Sequence, residues 1–115
     1  MKDLLKIFRS LSDETRLRMV GLLTNRECCV CEVMDVLGIS QTRASRNLQV
    51  LYAAGLLNRR KAGLWAYYSL NRSGLGKRLL PLIDALGEAL ASDRQIKADG
   101  RALAVSTRAD MECCR

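Results

Sequence analysis

ISQTRASRNLQVLYAAGLLNRRKAGLWAYYSL, residues 39–70, changes its hydrophobic period halfway along. Ser40 has the small polar side chain that begins a helix, and apolar residues then recur at helical spacing as far as Gly55. Beyond that glycine, residues 56–61 and 65–70 predict two short strands, joined by a turn that contains a glycine. The stretch therefore predicts a helix that runs directly into a β-hairpin.

Three further helices are predicted before this stretch. Apolar spacing places the first at residues 2–11, and Ser12 or Asp13 caps the second, which ends at about residue 25. A third covers about residues 30–37 and ends at Gly38. Because only a short turn with that glycine separates the third helix from the fourth, the pair predicts a helix-turn-helix. The expected fold class is mainly α with a small β-hairpin, a winged helix-turn-helix.

Length and composition limit the class of protein. With 115 residues the chain fits one domain. No apolar run approaches the ~20 residues that cross a bilayer, and the N-terminal segment lacks the long apolar block of a signal peptide. We therefore expect a cytoplasmic protein with no membrane partner. The net charge of +7 favours an anionic partner, and the position of the cations must decide which.

The cations and small polar residues predict a surface for double-stranded DNA. The N-terminal turns of a helix that reads base edges need such side chains, and cations beside a hairpin turn reach phosphates or a minor groove. The alternative is an ordinary amphipathic helix with a solvated polar face, which the hairpin cations disfavour. The predicted DNA-binding residues are Ser40, Gln41, Thr42, Arg43, Ser45, Arg46 and Gln49 in the helix and Arg59, Arg60 and Lys61 in the hairpin.

A last helix carries an apolar stripe, and Pro81 is expected in its first turn. The stripe exceeds what one small core obviously needs, so it predicts a homodimer; packing within the chain alone is the alternative. The predicted interface residues are Leu79, Leu82, Ile83, Leu86 and Leu90. Residues 1–91 are expected to form the DNA-binding and dimerisation domain. Residues 92–115, with a turn at Asp99-Gly100, are expected to be a partly mobile tail.

The five cysteines form two clusters in a chain without histidine. An odd number of thiols in the reducing cytosol argues against a disulfide framework and favours metal ligation or redox chemistry. Cys29 and Cys31 would point ~200° apart on a regular helix. Either these two residues lie just outside a helix end, or ion binding unwinds the first turn. The candidate ligands are Cys28, Cys29, Cys31, Cys113 and Cys114.

Two stretches resemble the ArsR/SmtB family of metal-responsive winged-helix repressors. LSDETRLRMVGLL, residues 11–23, resembles the second-helix signature of that family. ECCVCEVMDVLGISQTRASRNLQVLYAAGLLNRRKAGLWAYYSL, residues 27–70, resembles its metal box, recognition helix and wing. The resemblance covers roughly residues 4–91. It implies a homodimer that binds an inverted-repeat DNA operator and releases it when a metal or metalloid binds.

The box resembles that of the arsenic-sensing members, ELCVCDLC. Cys29 and Cys31 match its first two cysteines, but Met34 stands where the third is found. A three-thiolate site would take its third sulfur from Cys28 or from the pair at residues 113–114. All-sulfur coordination selects soft ions, so As(III) or Sb(III) is the expected inducer, with Cd(II) or Pb(II) as the alternative. The helix dipole and basic neighbours such as Arg26 should also favour thiolates in the box, and so lower the thiol pKa values.

Other functions stay open at this stage. Cys28 and Cys31 have the spacing of a redox dithiol, but no βαβ unit and no histidine accompany them, so an enzyme is not expected. A structural zinc held by Cys28, Cys31, Cys113 and Cys114 would make purified protein unfold with a chelator. A thiol-redox-sensing repressor would keep the DNA contacts and respond to peroxide instead of metal.

Overall fold

The computed structural model of the chain describes residues 1–74 and 76–105. These residues form six helices and three strands, and none of the described helices has the length and apolar character needed to span a bilayer. In chain order the elements are α1 (Lys2–Leu11), α2 (Glu14–Asn25), β1 (Cys28–Cys29), α3 (Val30–Leu37), α4 (Gln41–Ala53), β2 (Leu57–Ala62), β3 (Trp65–Leu70), α5 (Gly76–Ala91) and α6 (Arg94–Val105).

Local signals set the bounds of the helix-turn-helix, α3 and α4. Gly38 ends α3 with a left-handed backbone at φ 67°, which a residue without a Cβ adopts at little cost. Ser40 then caps α4, since its hydroxyl accepts a hydrogen bond of 3.2 Å from the amide of Arg43. Asp13 caps α2 in the same way through the amide of Arg16, at 3.0 Å. The predicted winged helix-turn-helix is confirmed.

A three-stranded antiparallel sheet forms the wing, in the order β1-β3-β2. The hairpin of β2 and β3 agrees with the prediction, and Gly63 in its turn has φ 63°. The sequence analysis missed β1, which pairs Cys28 with Tyr68 and Cys29 with Tyr67. The first two cysteines of the box therefore form a strand at the edge of the sheet, and this strand runs directly into α3.

The hydrophobic core lies between α2, α4 and the sheet. Its fully buried side chains include Met19, Leu22, Leu48, Leu51 and Leu56. The buried face of α4 is the face opposite its polar residues, so burial of the core fixes which side chains α4 presents to solvent.

The C-terminal part of the chain differs from the prediction. Residues 94–105 form α6 where a partly mobile tail was expected, and Asp99-Gly100 lies inside the helix instead of forming a turn. Asp99 is 2% exposed and accepts two hydrogen bonds of 2.9 Å from Arg18 of α2. Ile96 and Leu103 are buried on the same side of α6. The folded unit thus extends beyond residue 91, to residue 105 at least.

A close approach of α2 and α6 explains why α6 was not recognised. A Cβ at Gly21 would lie 2.9 Å from two carbon atoms of Ile96, so the missing side chain lets the helices pack together. This packing depends on residues far apart in the sequence. Pro81 also lies further into its helix than expected, beyond the first turn of α5, because α5 already begins at Gly76.

Candidate DNA-binding surface and thiol site

The polar face of α4 is accessible to solvent. Ala44, Leu48 and Leu51 are fully buried and hold the helix against the core. Ser45 is half-buried, and the other predicted DNA-binding residues of this segment are exposed: Ser40, Gln41, Thr42, Arg43, Arg46 and Gln49. The helix therefore presents a continuous set of small polar and basic side chains, as a major-groove reader requires.

Arg16 positions α4, a role that sequence reasoning missed. Its Nε donates to the carbonyl of Ser10 at 2.6 Å, and its Nη1 donates to Asn47 Oδ1 at 3.0 Å. Asn47 in turn donates to the carbonyl of Arg43 at 2.9 Å. One guanidinium thus joins the end of α1, the start of α2 and the middle of α4. The planar fork of arginine suits such simultaneous contacts.

Neighbouring cations of the wing point in opposite directions, because successive side chains of a strand alternate between faces. Arg59 lies with its guanidinium 4.5 Å from the centre of the Tyr52 ring and donates to Gln49 Oε1 at 3.2 Å. It therefore belongs to the same surface as α4. Lys61 is exposed and, by alternation, shares that face of β2.

Arg60 faces the thiol side of the sheet. Its Nη2 and Nε donate to the two carboxylate oxygens of Glu27 at 2.6 and 2.9 Å. The guanidinium also lies 4.4 Å from the centre of the Tyr67 ring. The hydrogen bond to Glu27 raises the pKa of Arg60, which stays cationic. Arg60 was predicted to bind DNA together with Arg59 and Lys61, because a run of cations in the sequence carries no signal of direction.

The structure separates the three box cysteines into two environments. Cys28 is fully buried and belongs to the main core, on the face of the sheet that also buries Tyr68. Cys29 and Cys31 are 1% and 4% exposed and form a second small cluster with Tyr67. This separation follows from strand alternation between residues 28 and 29. Cys28 is therefore poorly placed to share an ion with the other two.

An aromatic pair lines the cluster of Cys29 and Cys31. Trp65 packs against the cluster and is half-buried. The ring centres of Trp65 and Tyr67 lie 5.9 Å apart in a stacked arrangement. The side chains of Cys29 and Cys31 are thus enclosed by β3 on one side and by the start of α3 on the other.

Cys29 is the N-cap of α3. Its amide donates to Glu32 Oε1 at 2.9 Å, and its side chain accepts from the backbone amide of Glu32, so the two residues form a capping box. Cys31 lies in the first turn of the helix. The two cysteines therefore lie on either side of the helix start: Cys29 is just outside α3, and Cys31 is inside its first turn. A cysteine pair in this position can face one side without unwinding the helix.

The charges around Cys29 do not favour its thiolate, so the expectation of a low thiol pKa is wrong for this residue. Burial raises the pKa of Cys29, and the Glu32 carboxylate adds to this, whereas the backbone amides of Glu32 and Cys31 offset only part. Burial alone would raise the pKa of Glu32, but hydrogen bonds from Arg26 and the Cys29 amide lower it. Arg26 donates to Glu32 Oε2 at 2.6 Å, so its charge acts mainly on that carboxylate and less on the sulfurs of Cys28 and Cys29.

The described residues do not complete a metal site. Met34 is half-buried against the main core, away from the pair of thiols. Among residues 1–74 and 76–105, no three His, Cys, Asp or Glu side chains are grouped so that they could hold an ion. Cys113 and Cys114 lie outside the described residues. The last turn of α6 is near the box, since Arg26 Nη2 is 3.4 Å from the carbonyl oxygen of Leu103.

The predicted dimer stripe on α5 packs largely within the chain. Ile83 is 2% exposed and packs in the core of its own chain. Leu79, Leu86 and Leu90 are half-buried against the core, and Leu82 is 40% exposed. The helix α1, which was not predicted as part of an interface, leaves a second apolar set accessible: Leu4, Leu5 and Phe8, at 39%, 43% and 50% exposure.

Comparison with known proteins agrees with this architecture. The family described as "Bacterial regulatory protein, arsR family" matches residues 13–59. Arsenic resistance transcriptional regulator ArsR2 of Pseudomonas putida is 48% identical over 66 residues, 56% of this chain and 57% of that protein. The arsenical resistance operon repressor of Escherichia coli is 44% identical over 68 residues, 58% of each protein. The chain thus spans little more than half the length of these relatives.

A solved structure shows the same fold over a longer stretch. It is the homodimeric winged helix-turn-helix DNA-binding domain of a possible ArsR-family regulator from Mycobacterium bovis, with a TM-score of 0.64 and 28% identity. The similarity covers 81% of this chain and 86% of that one. Sequence and fold therefore agree, and the chain belongs to the ArsR family of winged helix-turn-helix transcriptional regulators.

Proposed function

We propose that this chain is a metalloid-responsive transcriptional repressor. It acts in the cytoplasm as a homodimer on an inverted-repeat operator and leaves the DNA when trivalent arsenic or antimony binds its thiols. The observation that carries the proposal is the position of Cys29 and Cys31, which share one cluster at the N-terminus of α3, the first helix of the helix-turn-helix. The arsenic-resistance relatives support the choice of inducer.

The ligand set that we propose is Cys29, Cys31 and one sulfur of the Cys113-Cys114 pair. Trivalent arsenic takes three thiolates in a pyramid, and the described residues offer two on one side. From Val105, the eight residues to Cys113 can span about 26 Å when extended. Since the end of α6 already lies beside Arg26, this length suffices to reach the box of the same chain. Cys28 belongs to the hydrophobic core and is not part of this ligand set.

The DNA contacts of the proposal come from α4 and one face of the wing. The exposed residues of α4 would read the major groove, and Arg59 and Lys61 would contact the backbone or the minor groove beside it. The net charge of +7 favours this partner. Each phosphate contact should add about 0.9 to the slope of log affinity against log salt.

The homodimer of the proposal uses α1 together with the exposed part of α5. Leu4, Leu5 and Phe8 form an apolar surface that the described chain does not cover, and Leu82 adds to the exposed apolar area. The Mycobacterium bovis domain is homodimeric with the same fold, which supports a homodimer but does not locate its interface. A dimer would set the spacing of the two α4 helices to successive major grooves.

Binding of the ion would act on the cap of α3. An As–S bond at Cys29 would form as an As–OH bond of arsenite breaks, and the thiol proton would leave with the hydroxide as water. The sulfur must then point to the ion instead of the Glu32 amide, so the capping box must rearrange. Because α3 is joined to α4 by only a short turn, a shift at its N-terminus moves the recognition helix. The two states then differ in DNA affinity, and the ion selects the weaker-binding one.

Fluorescence anisotropy of a labelled duplex from the upstream region of the gene tests the proposal. Reduced protein is titrated onto the duplex, and arsenite or cadmium is then added to the complex. Release by low arsenite with far more cadmium required supports the metalloid sensor. Release by cadmium or lead alone would replace the inducer, and no release by any of these ions would refute the sensor.

A further inference from the structure

Arg60 lies in one row with the sensor thiol across the sheet. The strand register pairs Cys29 of β1 with Tyr67 of β3, and Tyr67 with Arg60 of β2. Paired side chains of neighbouring strands lie on the same face. The contacts agree, because Cys29 packs with Tyr67 and the Arg60 guanidinium covers the Tyr67 ring. Only the Tyr67 side chain therefore separates the wing residue Arg60 from the proposed ligand Cys29 in this row.

Glu27 holds Arg60 in place through an ion pair. It is the first residue of the cysteine box, and both of its carboxylate oxygens accept hydrogen bonds from Arg60, 33 residues away in the sequence. The ion pair thus crosses from the start of the box to β2, over the ring of Tyr67. Bidentate pairs of arginine with carboxylate fix orientation as well as distance.

We propose that Glu27, Arg60 and Tyr67 form a relay that links access to the Cys29–Cys31 pair to the position of the wing. Nothing can reach Cys29, at 1% exposure, unless the covering side chains move, and Tyr67 is among them. Movement of that ring displaces Arg60, and with it β2 and the neighbouring Arg59. In reverse, a wing held on DNA holds Arg60 and Tyr67 over the thiols. The relay rests on the DNA-binding part of the proposed function.

Such a link must be reciprocal, which gives a test that needs no metal or metalloid. If opening of the thiol site weakens DNA binding, DNA must suppress opening of the thiol site by the same factor. We therefore propose to measure alkylation of the reduced full-length protein by iodoacetamide, with and without saturating operator duplex. Trypsin separates the thiols, because the box falls on the peptide of residues 27–43 and the terminal pair on residues 109–115.

In wild-type protein, we expect DNA to slow alkylation of the box peptide by at least about fivefold, the lower end of typical couplings between sites. The variants Glu27→Ala and Arg60→Gln should reduce this ratio to less than about twofold. Arg60→Lys should behave like Arg60→Gln, since an ammonium offers neither the bidentate fork nor the planar stack. A small free thiol, alkylated in the same solutions, provides the reference for reagent and DNA effects.

The matched control is Arg59→Gln, next to Arg60 but on the face of α4. It should weaken DNA binding yet keep the full protection ratio once the duplex is raised to saturation.

Thermal unfolding of each variant confirms that the rates are measured on folded protein, and Glu27→Ala decides the question if an Arg60 variant fails to fold. Equal protection in wild type, Glu27→Ala and Arg60→Gln, or no protection in wild type, would overturn the relay. A failure of arsenite to release DNA would refute the proposed inducer and leave this test unaffected.

Discussion

Replacement of Asp99 by alanine should destabilise the protein strongly, because this carboxylate holds α6 on α2. The change removes two charge-assisted hydrogen bonds from Arg18 and one hydrogen bond of 3.0 Å from Gln95. Loss of one partner of a buried pair costs about 3–5 kcal/mol when the remaining charge is trapped. The Arg18 side chain is 21% exposed and can turn to water, so we expect about 2–4 kcal/mol.

Thermal unfolding followed by circular dichroism measures this loss. For a domain of this length, each kcal/mol lowers Tm by about 4 °C, so Asp99→Ala should unfold about 8–16 °C below wild type. The matched control is Asp84→Ala, which removes an ion pair to Arg72 whose side chains are 61% and 53% exposed. Exposed pairs contribute little, and this control should change Tm by no more than about 2 °C. Similar Tm values for the two variants would refute the assignment of α6 as a packed part of the fold.

Three further variants test other contacts. Glu32→Gln should remove a pH dependence of stability. Because the pKa of Glu32 is lowered from 4.5 in the folded protein, its ionised form stabilises wild type above that pH, and this stability is lost as pH falls through the folded pKa. The unfolding curves of variant and wild type should therefore converge in acid, and a constant gap would contradict this. Arg16→Ala should weaken operator binding about tenfold in anisotropy with α4 still folded, since α4 loses a fixed link to α1; unchanged affinity would contradict it. Phe8→Glu should shift the sedimentation velocity profile from dimer to monomer. Arg94→Glu, at an exposed position of α6, should leave the dimer unchanged. A dimeric Phe8→Glu would place the interface elsewhere.

The sequence predicted the elements whose signals are local. Ser40 and Gly38 bound the helix-turn-helix through capping and a left-handed turn, and both act within three or four residues of the chain. The hairpin followed from two alternating runs around Gly63. Where a short segment carries its own cap or turn, sequence reasoning succeeds.

The missed features depend on contacts that are distant in sequence. The strand β1 has two residues, too few for any period, and exists because Tyr67 and Tyr68 pair with it. The helix α6 requires the contact of Gly21 with Ile96 and the ion pair of Asp99. The sequence around β1 and α6 contains no local signal that predicts these distant contacts.

The thiol site was predicted only in part for the same reason. The cysteine pattern located the box, but the separation of Cys28 from Cys29 and Cys31 depends on the strand β1, which the pattern did not predict. The prediction of a low thiol pKa was wrong for Cys29, because burial and the Glu32 carboxylate raise that pKa. Arg26 was expected to stabilise a thiolate, but it forms an ion pair with Glu32. Composition shows which charges exist, and packing decides which of them meet.

Arsenite-driven release of operator DNA by single cysteine variants tests the central claim most directly. Cys29→Ser and Cys31→Ser should bind the duplex with nearly wild-type affinity in anisotropy and fail to release it when arsenite is added. Cys28→Ala, which changes a core residue on the opposite face of β1, should release it as wild type does. If Cys28→Ala loses the response while Cys29→Ser or Cys31→Ser keeps it, the thiol pair at the start of α3 is not the sensor.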